Sequence, residues 1–216
     1  ENLSTALIIA GITAVMIFIV HQKTAPFVIL VVVGGALVAA AVAIITRVVG
    51  KYGSTSFRLR RIAVWLNPEA YSKEGGYQVM QGLYAIGSGG FFGKGLGNSA
   101  QKLGAVPEAQ NDMIFAIICE ELGVFGAIIV IFLFVFLLYR LVFIAQNAPD
   151  LLGSLIVTGV FVHISLQVVL NIAVVINAIP TTGITLPFVS YGGTSILFLM
   201  SEIMLALSVS KQITFK

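Results

Sequence analysis

Charge is what this sequence has least of. Only 10% of its 216 residues are Asp, Glu, Lys or Arg, against 58% hydrophobic, whereas a soluble domain carries about 25% charged residues. A chain of this length with so little charge has no surface to show water, which excludes a soluble globular fold. Cysteine is nearly absent. Cys119 is the single one, so no disulfide forms within the chain and cysteine usage says nothing about compartment. The net charge of +3 is small and no basic patch of the nucleic-acid type occurs, which excludes a nucleic-acid partner. Internal repeats and low-complexity tracts are also missing. So are an initiator methionine and a signal peptide. The chain opens on Glu1 just ahead of an apolar run and reads as a piece of a longer protein.

What is present is a series of apolar helices. Mean hydropathy is +1.04, and stretches near the ~20 residues that cross a bilayer recur along the chain. The expected fold is all-α and polytopic. It forms a single membrane domain over 1–216, with about five transmembrane helices at about 3–20, 27–46, 112–139, 151–175 and 190–209. A long segment, 47–111, separates the second span from the third. Its start is basic, with Arg47, Lys51, Arg58, Arg60 and Arg61. Polar Gln78, Gln81 and Ser88 interleave with apolar neighbours, which predicts a short amphipathic helix over 76–87 lying at the interface. The glycine-rich "GSGGFFGKGLG" that follows reaches backbone conformations closed to other residues. Such a run either cradles an anion with its amides or forms a plain surface loop. Counting Lys and Arg alone would put the long segment in the cytoplasm, but that rule is weakest for loops longer than about 60 residues.

The acidic residues cluster where the third span begins. Leu122–Leu138 is apolar apart from Gly123 and Gly126 and spans about 26 Å as a helix, near the thickness of the hydrocarbon core. Asp112 lies about 15 Å before it, at headgroup level. A carboxylate beside hydrocarbon is partly desolvated, which favours uptake of a proton and suits a general base. The competing role is a helix cap, since Asn111-Asp112 offers N-cap chemistry and acids complement a helix N-terminus. Glu120 and Glu121 are expected to pair with Lys or Arg from neighbouring helices.

In the fourth span His163, Gln167 and Asn171 recur every four residues, one polar stripe on a lipid-compatible helix. Such side chains face protein or a water-filled cavity, either as interhelical hydrogen bonds or as a cavity wall. The fifth span opens with "NAIPTTGITLPFVSYGGTS". Its prolines and glycines predict a broken, re-entrant segment, with the helix bent or interrupted at Pro187, Gly192 and Gly193. Irregular backbone at that depth requires surrounding protein or a cavity.

Three stretches together resemble a known family. "NPEAYSKEGGYQVMQGLYAIGSGGFFGKGLGNSAQK", then "VPEAQNDMIFAIICEELG", then "PTTGITLPFVSYGGTS" look like the shape, elongation, division and sporulation (SEDS) family in their family order. The wording is nearer its FtsW and SpoVE branches than its RodA branch. Members have about ten spans, so the resemblance covers the C-terminal half of one. It departs from the pattern at the opening "ENLSTAL", where Asn2 replaces an acid and Ser4 a glycine, and at Gly104.

The resemblance implies a peptidoglycan glycosyltransferase that polymerises lipid II, in a multi-pass protein of the bacterial cytoplasmic membrane. It puts the long loop outside the cytoplasm and the C-terminus inside. The family's essential Asp, in Pro-Glu-x-x-x-Asp, falls on Asp112, with Glu108 and Gln110 as substrate contacts beside it. Such chemistry needs one base and cations for a pyrophosphate leaving group. Arg58, Arg60, Arg61, Lys94 and Lys102 are the candidates, glycine amides in 87–97 assist, and Ser190 and Tyr191 are expected to face the substrate cavity. No metal-ligand set is visible. A divalent cation, Mg or Mn, bridging pyrophosphate and a carboxylate would suit the chemistry, and nothing in the sequence specifies one. The implied partners are lipid II, a class B penicillin-binding protein transpeptidase and other divisome or elongasome membrane proteins. Two other classes stay open, a lipid II flippase or transporter and a non-catalytic division scaffold.

Overall fold

The computed structural model describes residues 3–21, 57–102, 106 and 109–213, with scattered helical positions between 29 and 47. Half of the positions of the expected second span, 27–46, lie outside the described residues, and so does Glu108. Every regular element among the described residues is helical. Helix α1 covers Leu3–Val20, α2 Phe57–Leu66, α3 Tyr77–Gly89, α4 Ile114–Gln146, α5 Leu151–Val175 and α6 Gly193–Ser210. A short π-helical turn, Ser72–Gly76, leads into α3. Helices α4, α5 and α6 are long and apolar enough to cross a membrane.

The boundaries have local causes. Helix α5 starts at its expected residue because Asp150 is extended and its carboxylate accepts from Gly153 N at 3.0 Å, a side-chain cap. Helix α4 runs past the expected end near Tyr139, since Arg140 is still helical, with its guanidinium 5.8 Å from the Phe143 ring. A helix needs no stop where the hydrocarbon ends. Helix α6 begins only at Gly193, after a turn through Pro187 and Ser190.

Helix α5 is the central element. It packs against α1, α4 and α6, while α3 packs on α4. Ala116 of α4 and Val157 and Ile164 of α5 are fully buried between them. The outward positions of α4, including Ile128, Phe132 and Phe136, are exposed and apolar, as lipid contact requires. Helix α2 docks on the connection after α5. Trp65 Nε1 donates to Asn177 O at 2.9 Å, and Asn177 Nδ2 donates back to Trp65 O at 3.4 Å.

Helix α4 is broken at Gly123, where φ is 69° and ψ −168°. The sequence reads as one continuous span there. The break exposes carbonyls on one side and amides on the other, and residues 90–95 supply both sets of partners. Lys94 N donates to Glu120 O and Gly95 N to Glu121 O, each at 2.9 Å, while Val124 N and Phe125 N donate to Gly90 O and Phe91 O at 3.0 and 3.1 Å. The glycine-rich run fits because it carries no Cβ at the contacts. A Cβ on Gly89 would overlap Cys119 O, and one on Gly93 would overlap Glu121 O. Three amides of the run are therefore not free to cradle an anion. Those of Lys94 and Gly95 are committed to helix carbonyls, and that of Gly93 to Gly89 O.

Candidate functional site at the start of α4

Asp112 lies two residues before α4 and is partly buried. Its Oδ1 accepts from Gln78 Nε2 of α3 at 3.1 Å. The cap position of α4 is Met113, which makes no side-chain cap bond. The backbone here is held from the far side of the bundle by three donors on three successive carbonyls. Tyr191 N donates to Gln110 O at 2.9 Å, Ser190 Oγ to Asn111 O at 2.6 Å, and Asn171 Nδ2 to Asp112 O at 2.8 Å. Ser190 Oγ also accepts from Leu186 N at 2.7 Å.

The expected site residues therefore separate into groups. Ser190 is buried and bonded to backbone, while the Tyr191 side chain is 74% exposed. Gln110 is exposed, and with Lys102 it lines a cavity of about 260 Å³ whose other walls are Val106, Ala109, Ile114 and Ile117. Lys102 Nζ lies 3.6 Å from Glu121. Lys94 is bonded inward, with Nζ 2.6 Å from Glu120 Oε1 and 2.9 Å from Ser88 Oγ. Glu120 is fully buried, and its other oxygen accepts from Ser99 Oγ at 2.5 Å. Both glutamates thus meet lysines of the loop rather than cations of neighbouring helices. Arg58, Arg60 and Arg61 lie in α2, and Arg61 donates to Thr181 O at 3.4 Å. Among the described residues no group of three or more His, Cys, Asp or Glu side chains is arranged to hold a metal ion.

A larger cavity, about 730 Å³, opens between α1, α5, α6 and the 182–185 segment. His163, Gln167 and Glu202 sit in its wall, with Arg61 among the lining residues. His163 Nδ1 lies 2.8 Å from Glu202 Oε2, and Gln167 Nε2 is 3.0 Å from His163 Nε2. With the amide nitrogen of Gln167 as donor, Nε2 accepts and Nδ1 carries the proton toward Glu202. The stripe thus divides: its first two members line this cavity, and Asn171 turns to the Asp112 backbone.

The FtsW/RodA/SpoVE family model, described as "Cell cycle protein", matches residues 1–214. The chain belongs to this family. It is 42% identical over 210 residues to stage V sporulation protein E of Bacillus subtilis (strain 168), covering 97% of this chain and 55% of that one. It is 40% identical over 200 residues to the probable peptidoglycan glycosyltransferase FtsW of Coxiella burnetii (strain RSA 493 / Nine Mile phase I), covering 91% and 51%. A chain of the solved structure "Structural coordination of polymerization and crosslinking by a peptidoglycan synthase complex" superposes with TM-score 0.71 at 27% identity, covering 100% of this chain and 57% of that one. The chain spans about half the length of the curated relatives it matches. Family membership and the apolar helices make it part of a multi-pass membrane protein. The clamp formed by Asn171 and Ser190 went unseen in the sequence. The stripe and the Ser-Tyr-Gly-Gly turn were visible there, but not that both end on one loop.

Proposed function

We propose that the whole protein is a peptidoglycan glycosyltransferase that polymerises lipid II at the outer face of the cytoplasmic membrane, with Asp112 as its general base. The observation that carries this reading is the fixing of the Gln110, Asn111 and Asp112 carbonyls by three separate donors, beside a partly buried carboxylate. Chemistry that depends on a carboxylate's position is served by such a hold.

The reaction is a single displacement with inversion. A sugar 4-hydroxyl oxygen attacks the anomeric carbon of a second lipid-linked disaccharide. The bond from that carbon to the pyrophosphate oxygen breaks, and the pyrophosphate leaves with the electron pair. Asp112 takes the hydroxyl proton. The leaving group is already anionic, so it calls for cations more than for an acid. Lys102, beside the Gln110 cavity, and the α2 arginines are the candidates. Lys94 holds Glu120, and its role here is structural. Among the described residues Asp112 is the carboxylate placed to hold a Mg or Mn ion that bridges to the substrate's pyrophosphate. In this reading the long loop faces outward and the C-terminus inward, and the nascent strand passes to a class B penicillin-binding protein.

The membrane-depth pair His163–Glu202 and its cavity favour a second reading, a transporter of the same lipid. Labelled lipid II separates the two. A purified full-length family member carrying this sequence is expected to form glycan strands, and to lose them with Asp112→Asn. Lipid translocation without strands would establish the transporter instead.

A further inference from the structure

We infer that Asn171 is a positioning residue that sets where the Asp112 carboxylate stands, an inference that rests on Asp112 being the base. Asn171 is fully buried in α5. Its one amide nitrogen donates both protons, to Asp112 O and to Ile184 O, each at 2.8 Å. These carbonyls belong to the loop before α4 and to the irregular segment before α6. A single side chain on the central helix therefore joins the two non-helical segments, one of which bears the carboxylate.

The chemistry selects this residue type. A rotated amide would set its oxygen against two carbonyl oxygens, so the donor orientation is the workable one. Among the described residues Asn171 Oδ1 is buried without a hydrogen-bond partner. What this side chain contributes to the contact is its two N–H groups, each bonded to a carbonyl. Serine has one donor. Aspartate would present oxygens to both carbonyls. Glutamine is a methylene longer and would displace the loop. Ser190 supports the same hold one residue away, spending its one proton on Asn111 O.

The side chain bonds to backbone and the substrate meets the carboxylate, so the expected signature is catalytic rather than in binding. In a full-length family member carrying this sequence, Asn171→Ala and Asn171→Asp should lower kcat for labelled lipid II about tenfold to a hundredfold, the scale of a misplacement near 1 Å. KM should not change. In an Asp112→Asn background, where the base is already gone, Asn171→Ala should cost nothing further, since residues acting through one group are not additive. Ser190→Ala should give a smaller kcat loss, again with KM constant. Wild-type kcat in the Asn171 variants, a raised KM with kcat intact, or an equal added loss in the Asp112→Asn background would overturn the inference. Should both Asn171 variants unfold, Ser190→Ala decides alone, and an unchanged kcat there overturns it. Wild-type turnover in Asp112→Asn itself would instead sink the general-base reading, so the two failures are distinct.

Discussion

Lys94 meets Glu120 twice. Its amide donates to the glutamate's carbonyl at 2.9 Å, and its ammonium lies 2.6 Å from the carboxylate. The backbone bond closes the break in α4, and the ion pair locks it. Burying Glu120 completely is tolerable because Ser88, Ser99 and the amide of Gln101 also donate to it.

From this follows the effect of Lys94→Ala. It would leave a buried carboxylate without its cation, which typically costs about 3–5 kcal/mol. The lysine side chain is 36% exposed, so water softens the loss toward the lower figure. The expected result is a large drop in melting temperature in detergent micelles. Normal stability combined with lost turnover would instead return Lys94 to the group of substrate cations.

Lys102 provides the contrast. It is half exposed, but Glu121, whose carboxylate lies 3.6 Å from its Nζ, is buried, so removing the lysine leaves a buried carboxylate without this cation at a cost of about 1–3 kcal/mol. Lys102→Ala should lower the melting temperature by less than Lys94→Ala does, while raising KM for lipid II. Wild-type kinetics would remove Lys102 from the site.

The break itself is testable through glycine. Gly123 and Gly93 have φ of 69° and 77°, and a Cβ on either would overlap the other strand of the contact. Gly97 has φ of 81° but open space around it. Alanine at Gly97 should cost about 1 kcal/mol for the left-handed conformation alone. Alanine at Gly123 or Gly93 should cost about 2 kcal/mol or more, because strain and overlap add. Equal melting temperatures for all three variants would mean that the loop does not fill the break.

This pairing marks where the sequence stops being legible. Helix α5 could be read to the residue, because an apolar run bounded by Asp150 is local information. The interruption before α6 was written in Pro187, Gly192 and Gly193. The break at Gly123 was hidden, since glycine is ordinary in membrane helices and the partners that stabilise a break come from a distant loop. The same distance hid the partner of Lys94. Its charge could be read from the sequence, while its destination depended on how α3 packs against α4. Asp112 was singled out by motif and depth. The donors holding it come from α5 and the turn before α6, and no periodicity links those to residue 112.

The His163–Glu202 pair separates the enzyme from the transporter. Glu202→Gln keeps a hydrogen-bond acceptor beside His163 Nδ1 but removes the charge. For an enzyme centred on Asp112, polymerisation should stay within a few-fold of wild type, with a stability loss of about 1–2 kcal/mol, the scale of a charge-assisted hydrogen bond. Abolished polymerisation in a well-folded variant would move the chemistry into the larger cavity.

The decisive substitution is at Asp112, where size, capping and basicity can be changed separately. Asp112→Asn keeps the size and an oxygen for the Gln78 amide, whose nitrogen now stands 3.1 Å from Oδ1. The three carbonyl holds on 110–112 involve backbone alone on this side and should survive it. If Asp112 were only a cap, Asn would be nearly harmless, because the two cap about equally well. Met113 occupies the cap position, which already weakens that role. As the base, Asp112→Asn should lower turnover by a factor of about 10² or more, with folding and lipid II binding intact. Asp112→Glu restores a base one methylene further out and should recover part of the rate. A fully active Asp112→Asn enzyme would end the general-base assignment.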